Sequence, residues 1–133
     1  MKDKVLIDTS VWIAYLQGTA PEKLQQLVDR LLDMKEIVVP KIVLAELIQG
    51  ARSEKDIAVI REFLEAFTVV CEGHRTWMDA GKLSYDLKKK GKTVNLADCY
   101  ISIMAKENRA SILSLDKHFR DVQNEAGVEL IAI

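Results

Sequence analysis

The sequence has few of the residues that build several common kinds of site. Its 133 residues include two cysteines, Cys71 and Cys99, which lie far apart in the chain. This spacing does not fit a zinc site or a disulfide framework, so both are predicted to be small core residues. The two histidines, His74 and His118, have no paired base or ligand at a useful spacing. A histidine-based catalytic mechanism is therefore disfavoured.

Long hydrophobic runs and an excess of one charge are also missing. No apolar stretch approaches the ~20 residues that cross a bilayer, and the N-terminal residues lack the hydrophobic segment of a secretion signal. We therefore expect a cytoplasmic protein that does not enter a membrane. The formal net charge is −1, whereas a nonspecific nucleic-acid binder normally has a basic excess. Contact with phosphate must then depend on locally arranged charge or on a bound metal.

The overall composition is that of an ordinary globular domain. Hydrophobic residues make up 49% of the chain and charged residues 29%, and both fractions are close to the averages for folded domains. A chain of 133 residues is long enough to bury one full core. We predict a single domain over residues 1–133, without a linker.

Short apolar strands alternate with amphipathic helices along the chain. Five strands are predicted at residues 5–7, 37–40, 68–71, 111–115 and 128–133. Helical patterns fill most of the intervals, and the clearest is PEKLQQLVDRLLDM, in which leucines recur at the three- and four-residue spacing of one helix face. Such alternation indicates an α/β fold with a parallel sheet covered on both faces.

Four acidic residues interrupt apolar segments, unlike the acids on polar helix faces and in turns. They are Asp8 at the end of the first strand, Glu46 within IVLAELI just after the second, Asp98 within NLADCYISIMA, and Asp116 just after SILSL. Ligands and catalytic groups of parallel sheets lie beyond the carboxyl ends of the strands. We therefore predict that the four acids converge on one pocket.

Carboxylates gathered in one pocket repel each other unless a cation shares them. Oxygen ligands without cysteine or histidine are the donor set of Mg²⁺ or Mn²⁺, and such ions commonly serve phosphate chemistry by activating water. Taken singly, three of the acids have a plainer alternative, because an acid at a helix N-terminus can cap it or favour its dipole. Glu46 has no such alternative, since it is predicted to lie inside a helix.

Four segments resemble the motifs of a known family. LIDTSVWI, LAELIQG, NLADCYISIMA and ILSLDKHF are similar to the four acidic motifs of PIN-domain ribonucleases, and more narrowly of the VapC toxins of bacterial and archaeal toxin–antitoxin pairs. The similarity spans almost the whole chain in the family's order. It implies a three-layer α/β/α sandwich with a five-stranded parallel sheet and a Mg²⁺- or Mn²⁺-dependent endoribonuclease. The catalytic, metal-binding acids implied by it are Asp8, Glu46, Asp98 and Asp116.

The resemblance also implies partners and supporting residues. The partners are an RNA substrate, a second copy of the chain in a homodimer, and a small DNA-binding antitoxin whose C-terminal tail occupies the active-site groove. Thr9 or Ser10 would place a hydroxyl near the metal. Ser114 stands where the family often has threonine and keeps the hydroxyl as a hydrogen-bond donor. Asn95 matches a polar position of the family, with helix capping as an equal alternative.

Basic residues outside the motifs are candidates for RNA contacts. They are Arg52, Lys88, Lys89, Lys90 and Lys92. Lysines and arginines near an acidic pocket can hold the RNA backbone. The alternative for the lysine run is a solvated helix terminus favoured by the helix dipole.

Other functions remain open at this point. A phosphatase of the haloacid dehalogenase type also begins with an Asp after the first strand, but it needs a second Asp two residues later, where Ser10 stands. An inactive PIN-like or receiver-like binding module would have the fold without nuclease activity. Trp12, Tyr15 and Leu16 belong either to the core or to an apolar groove for a partner helix.

Overall fold

A computed structural model describes residues 2–133 of the chain. Its strands are β1 (Lys4–Ile7), β2 (Glu36–Pro40), β3 (Thr68–Val70) and β4 (Ala110–Leu113). Its helices are α1 (Thr9–Leu16), α2 (Glu22–Met34), α3 (Lys41–Gln49), α4 (Glu54–Leu64), α5 (Thr76–Lys89), α6 (Leu96–Glu107) and α7 (His118–Ala126). The predicted α/β alternation is confirmed.

The strands form one parallel sheet in the order β3-β2-β1-β4. Strand β1 is central, and its Val5 pairs with Ile37 of β2 on one side and with Ser111 of β4 on the other. The backbone N–H of Asp8 continues this pairing by donating to the carbonyl of Leu113 at 2.9 Å. The residues that follow β1, β2 and β4 therefore leave the sheet at the same edge.

The prediction of a fifth strand over residues 128–133 is wrong. This segment makes a single parallel bridge, between Leu130 and Ile112, within the part of the chain that is described. Two backbone hydrogen bonds of 2.8 Å accompany it, from Ile112 N–H to the Glu129 carbonyl and from Ile131 N–H to the Ile112 carbonyl. The segment's last two residues are exposed, so apolar burial does not extend the pairing into a strand.

Helix α6 is the most deeply buried helix and carries one of the four acids. Its residues from Asp98 to Ala105 are all buried, which is typical of a helix enclosed within a core rather than one lying on it. The three apolar residues Val5, Leu6 and Ile7 of β1 are also fully buried. Two of the four acids, Asp8 and Asp98, are thus attached to deeply buried elements of the fold.

The aromatic and cysteine predictions have mixed outcomes. Trp12 is fully buried and packs edge-on against Phe63, with ring centroids 5.5 Å apart, so it belongs to the core. Cys99 is buried as predicted, but the prediction for Cys71 is wrong because this residue is exposed. Cys71 lies one residue beyond the edge strand β3, where no further strand covers it. None of the helices within residues 2–133 has the length and apolarity to cross a membrane.

Truncation of a buried side chain in the central strand β1 should lower the stability of the protein by a measurable amount. Leu6→Ala is expected to lower the free energy of unfolding by about 2–5 kcal/mol, because Leu6 is fully buried between two neighbouring strands. Urea denaturation followed by circular dichroism measures this change. Val59→Ala is the control, since Val59 is half exposed on α4 and its truncation should cost less than about 0.5 kcal/mol. Equal losses in the two variants would contradict the described core.

Candidate active site

Four acidic side chains surround one cavity at the carboxyl edge of the sheet. Asp8 follows β1 directly, and Asp116 lies in the loop after β4. Glu46 belongs to α3, which begins immediately after β2, and Asp98 lies in the first turn of α6. The cavity has a volume of about 390 Å³ and is lined by Asp8, Thr9, Ser10, Glu46, Asn95, Ala97, Asp98 and Asp116. The four acids that we selected from the sequence therefore lie together in the fold. We call this cavity the acid site.

Asp8 is held by two hydroxyl groups. Its side chain is only 5% exposed, and its Oδ2 atom accepts hydrogen bonds from Ser10 Oγ at 2.8 Å and Ser114 Oγ at 2.7 Å. Asp8 occupies the N-cap position of α1 but makes no side-chain capping bond. The capping alternative considered for this acid therefore does not explain its position.

The two serines also join the loops that carry the acids. Ser10 Oγ accepts a hydrogen bond from the backbone N–H of Leu115 at 3.1 Å, and Ser114 Oγ accepts one from the backbone N–H of Asp116 at 2.9 Å. Each serine thus donates to Asp8 and accepts from the loop after β4. This arrangement fixes the position of Asp116 relative to Asp8.

Glu46 is oriented by the residue next to Asp8. Thr9 Oγ1 donates a 2.9 Å hydrogen bond to Glu46 Oε1, and Thr9 itself is buried. The bond connects α1 with α3, which pack against each other. The Glu46 side chain on α3 is thereby turned toward the Asp8 carboxylate that follows β1.

Asp98 and Asn95 hold each other at the start of α6. Asn95 caps the helix by accepting a 2.8 Å hydrogen bond from the backbone N–H of Asp98. Its side-chain amide donates to Asp98 Oδ2 at 3.1 Å. Asn95 therefore caps the helix, one of the roles considered for it from the sequence, and it also contacts a site acid.

His118 lies beside the acids, and the expectation that it has no ligand at a useful spacing is wrong. Its Nδ1 atom is 3.3 Å from Asp116 Oδ1 and 3.7 Å from Asp98 Oδ2. The backbone N–H of His118 also donates to Asp116 Oδ1 at 2.9 Å, which turns the chain back at the start of α7. Asp98, Asp116 and His118 each offer one ligand atom, and these atoms lie within 4.8 Å of one another. The only sequence signal for this was the separation of Asp116 and His118 by one residue.

Burial and the neighbouring acids raise the pKa of Asp98 to about 7. Burial is the largest cause, followed by the charge of Asp116 and a hydrogen bond with it, and then by the charge of Asp8. His118 acts in the opposite direction. A buried carboxyl that resists ionisation because of its acidic neighbours fits a site shared by a divalent cation, whose charge would remove the repulsion.

Within residues 2–133, the basic residues predicted to contact RNA do not line the acid site. These are Arg52, Lys88, Lys89, Lys90 and Lys92. Lys90 pairs with Glu125 at 2.6 Å, and Lys89 Nζ lies 5.1 Å from the centre of the Tyr85 ring. Arg52 lines a different cavity. Their contacts with RNA stay a prediction.

The raised pKa of Asp98 predicts a stability change in the metal-free protein. The folded pKa of about 7 exceeds the ordinary value of 3.8, so ionisation of Asp98 destabilises the fold, and the loss of stability develops as pH rises from about 4 to 7. Each pKa unit corresponds to about 1.4 kcal/mol. In EDTA at pH 8, Asp98→Asn should therefore increase the free energy of unfolding by roughly 2–4 kcal/mol.

Urea denaturation of both proteins at pH 5 and pH 8 measures this effect. At pH 5 the difference between wild type and Asp98→Asn should be less than half of that at pH 8, because pH 5 lies only about one unit above the ordinary pKa of 3.8 at which the loss of stability begins. An equal difference at both pH values would mean that Asp98 is not the group responsible. Asp33→Asn, at an exposed position of α2, serves as the control and should show no such dependence on pH.

Known relatives resemble the chain along most of its length. Residues 5–125 match the model of the family described as the PIN domain. The chain is 28% identical over 113 residues to Ribonuclease VapC1 of Haemophilus influenzae, covering 82% of this chain and 84% of that protein. It is 29% identical over 104 residues to Ribonuclease VapC1 of Methanocaldococcus jannaschii, covering 78% of this chain and 69% of that protein.

Solved structures share the fold. VapBC-1 from nontypeable Haemophilus influenzae superposes with a TM-score of 0.78 at 25% identity and covers 96% of each chain. DNA-bound VapBC from Salmonella typhimurium superposes with a TM-score of 0.80 at 22% identity and covers 98% of each chain. Because the family model spans nearly the whole chain and the parallel sheet with its flanking helices agrees with it, this protein belongs to the PIN domain family.

Proposed function

We propose that this protein is a VapC-type endoribonuclease that depends on Mg²⁺ or Mn²⁺ and acts in the cytoplasm as the toxin of a toxin–antitoxin pair. The observation that carries the proposal is the gathering of Asp8, Glu46, Asp98 and Asp116 around one cavity in a member of the PIN domain family. Its relatives with the name Ribonuclease VapC1 support the choice of RNA as substrate.

The donor set of the acid site fits a hard divalent cation. Asp8, Glu46, Asp98 and Asp116 would hold the ion, and the His118 imidazole lies beside Asp98 and Asp116. A bound divalent cation lowers the pKa of a water ligand and offsets the charge that develops on a phosphodiester during attack. An imidazole among the oxygen donors suits Mn²⁺ at least as well as Mg²⁺.

Hydroxyl groups of the protein orient the carboxylates of the acid site for metal binding. Both serine hydroxyls donate to Oδ2 of Asp8, and Thr9 donates to Oε1 of Glu46. One oxygen of each carboxylate is thus fixed by the protein, which leaves the other for an ion or for water. Carboxylates oriented in this way lose little conformational freedom when they bind a ligand.

The phosphatase alternative is disfavoured by the contacts of Ser10. The position where that chemistry needs a second aspartate carries a serine that donates to Asp8. The inactive binding module is the remaining alternative, and only measurement of activity and metal binding separates it from the nuclease.

Cleavage and metal binding test the proposal directly. Purified protein free of any partner should cut cellular RNA when supplied with Mg²⁺ or Mn²⁺, and EDTA should abolish the cleavage. Asp8→Asn should reduce the rate about 100-fold or more, because a metal site supplies several kcal/mol of transition-state stabilisation. Asp33→Asn makes the same charge change at an exposed position and should leave the rate unchanged.

Calorimetric titration with Mn²⁺ distinguishes the two remaining hypotheses. The nuclease requires Mn²⁺ binding that weakens in Asp8→Asn and persists in Asp33→Asn. If the wild-type protein neither bound Mn²⁺ nor cut RNA, the inactive module would be the better description. Circular dichroism of each variant establishes that the fold is retained.

We also propose a binding surface for the antitoxin. A cavity of about 360 Å³ opens between α1, α3 and α4, and its lining combines apolar side chains such as Ile13, Leu47 and Val59 with the charged Arg52 and Asp56. Ile13 and Val59 are exposed, although they are large apolar side chains. Amphipathic helices commonly place their apolar face in such grooves. The homodimer implied by the resemblance stays a prediction.

Neutralisation by the cognate antitoxin tests this surface. Val59→Asp should weaken antitoxin binding by at least about tenfold, because it would bury an unpaired charge in the interface, while RNA cleavage by the free protein is unchanged. Met34→Asp is the control, since Met34 is largely exposed on α2 and does not line this cavity. Isothermal titration with the purified antitoxin measures both affinities. Equal affinities for the two variants would exclude this groove as the binding surface.

A further inference from the structure

A second cavity adjoins the acid site. It has a volume of about 430 Å³ and lies between α7, the loop after β4 and residues 130–133. Asp116 lines this cavity and the acid site, so the loop that carries it separates the two. Ser114, which donates to Asp8, also lines the second cavity. We call it the flanking cavity.

The lining of the flanking cavity divides into an apolar part and a basic part. Its accessible apolar side chains include Leu115, which is 45% exposed, Ile133, which is 62% exposed, and the half-buried Ile131. Lys117, Arg120 and Gln123 contribute polar groups. Arg120 and Gln123 lie three residues apart on α7 and so share one helix face, and Lys117 directly precedes this helix as its N-cap residue. Asp116 is the one acid among the residues that line the cavity.

The two basic residues have no competing partner. Lys117 and Arg120 are exposed, and their side chains form neither an ion pair nor a hydrogen bond with any residue between 2 and 133. Lys90, by contrast, is paired with Glu125. The formal net charge of the chain is −1. Two unpaired basic residues at one cavity therefore do not simply reflect a general excess of lysine and arginine.

We propose that the flanking cavity binds one nucleotide of single-stranded RNA next to the phosphate that is cut. Its base would lie against Leu115 and Ile131, and its phosphate would contact Lys117 and Arg120. This inference rests on the proposed nuclease function, because it takes the acid site as the place of cleavage. It adds a binding site for the substrate and names the residues that form it.

Three physical features favour this ligand. A volume of about 430 Å³ lies within the range of roughly 300–1,000 Å³ that is usual for small-ligand sites. Proteins recognise single-stranded RNA by contacts with unstacked bases, and lysine and arginine hold its phosphates. The acid site by itself repels a polyanion, and two unpaired cations across the shared Asp116 offset that repulsion.

The first test compares two double variants with the same loss of charge. Lys117→Gln/Arg120→Gln should lower kcat/KM for a short single-stranded RNA by about 10- to 100-fold at low salt, because two phosphate contacts are lost. The slope of log kcat/KM against log salt should become shallower by about 1.4, at ~0.7 for each contact with a single strand. Lys23→Gln/Arg30→Gln is the control, since both residues are exposed on α2 and line neither cavity.

The second test identifies the base that enters the cavity. An abasic nucleotide is placed at each position near the cut in turn, and one adjacent position should reduce cleavage by the wild-type protein about tenfold or more, as expected from lost base contacts. In Leu115→Ala the same substitution should matter much less, because the variant has already lost the contact with the base. A role of Leu115 in folding alone would instead lower the rate on every RNA equally.

The outcomes separate this inference from the proposed function. If the wild-type protein cuts no RNA with Mg²⁺ or Mn²⁺, both are overturned. If it cuts RNA but Lys117→Gln/Arg120→Gln behaves like its control, the proposed function stands and the flanking cavity is not an RNA site. Unchanged cleavage combined with weaker antitoxin binding would assign the cavity to the antitoxin and would equally overturn the inference.

Discussion

Mutual repulsion among carboxylates is the constraint on which this site depends. Asp8 and Asp98 are almost fully buried, and Asp116 lies close enough to Asp98 to raise its pKa. Such a group of charges opposes folding, yet the chain anchors it to its central strand and its most buried helix. Hydroxyl donors from Thr9, Ser10 and Ser114 offset part of the cost. The divalent cation that we propose for this site would offset the remainder of the cost.

Much of the fold and most of the site could be predicted because both follow from local rules. Apolar runs separated by helical periodicity indicated the parallel sheet, and acids that interrupt those runs at strand ends indicated one pocket. The segment at residues 128–133 has the composition of a strand, but it forms only one bridge because its last residues are not buried. Cys71 illustrates the same limit, since its exposure depends on β3 being an edge strand. Strand order is decided by contacts between distant parts of the chain.

His118 and the flanking cavity were missed for a related reason. The imidazole reaches the acids only because the Asp116 carboxylate accepts a hydrogen bond from the His118 backbone and turns the chain into α7. The flanking cavity needs residues 130–133 to lie beside β4 and α7. The lysines within residues 88–92 form a recognisable run in the sequence, whereas Lys117 and Arg120 belong to no such pattern. The role of a charged residue depends on its position in the fold, and the periodicity of the sequence does not reveal that position.

The hydrogen bond from Ser114 to Asp8 joins residues 106 positions apart in the sequence. Strand β1 is synthesised before its neighbour β4 and the loop with Asp116. Until that loop is synthesised, Asp8 lacks one of its hydroxyl donors and one of its acidic neighbours. A nascent chain that ends before Ser114 therefore lacks part of the acid site. For the nuclease proposed above, this order of synthesis would delay activity until the loop after β4 has left the ribosome.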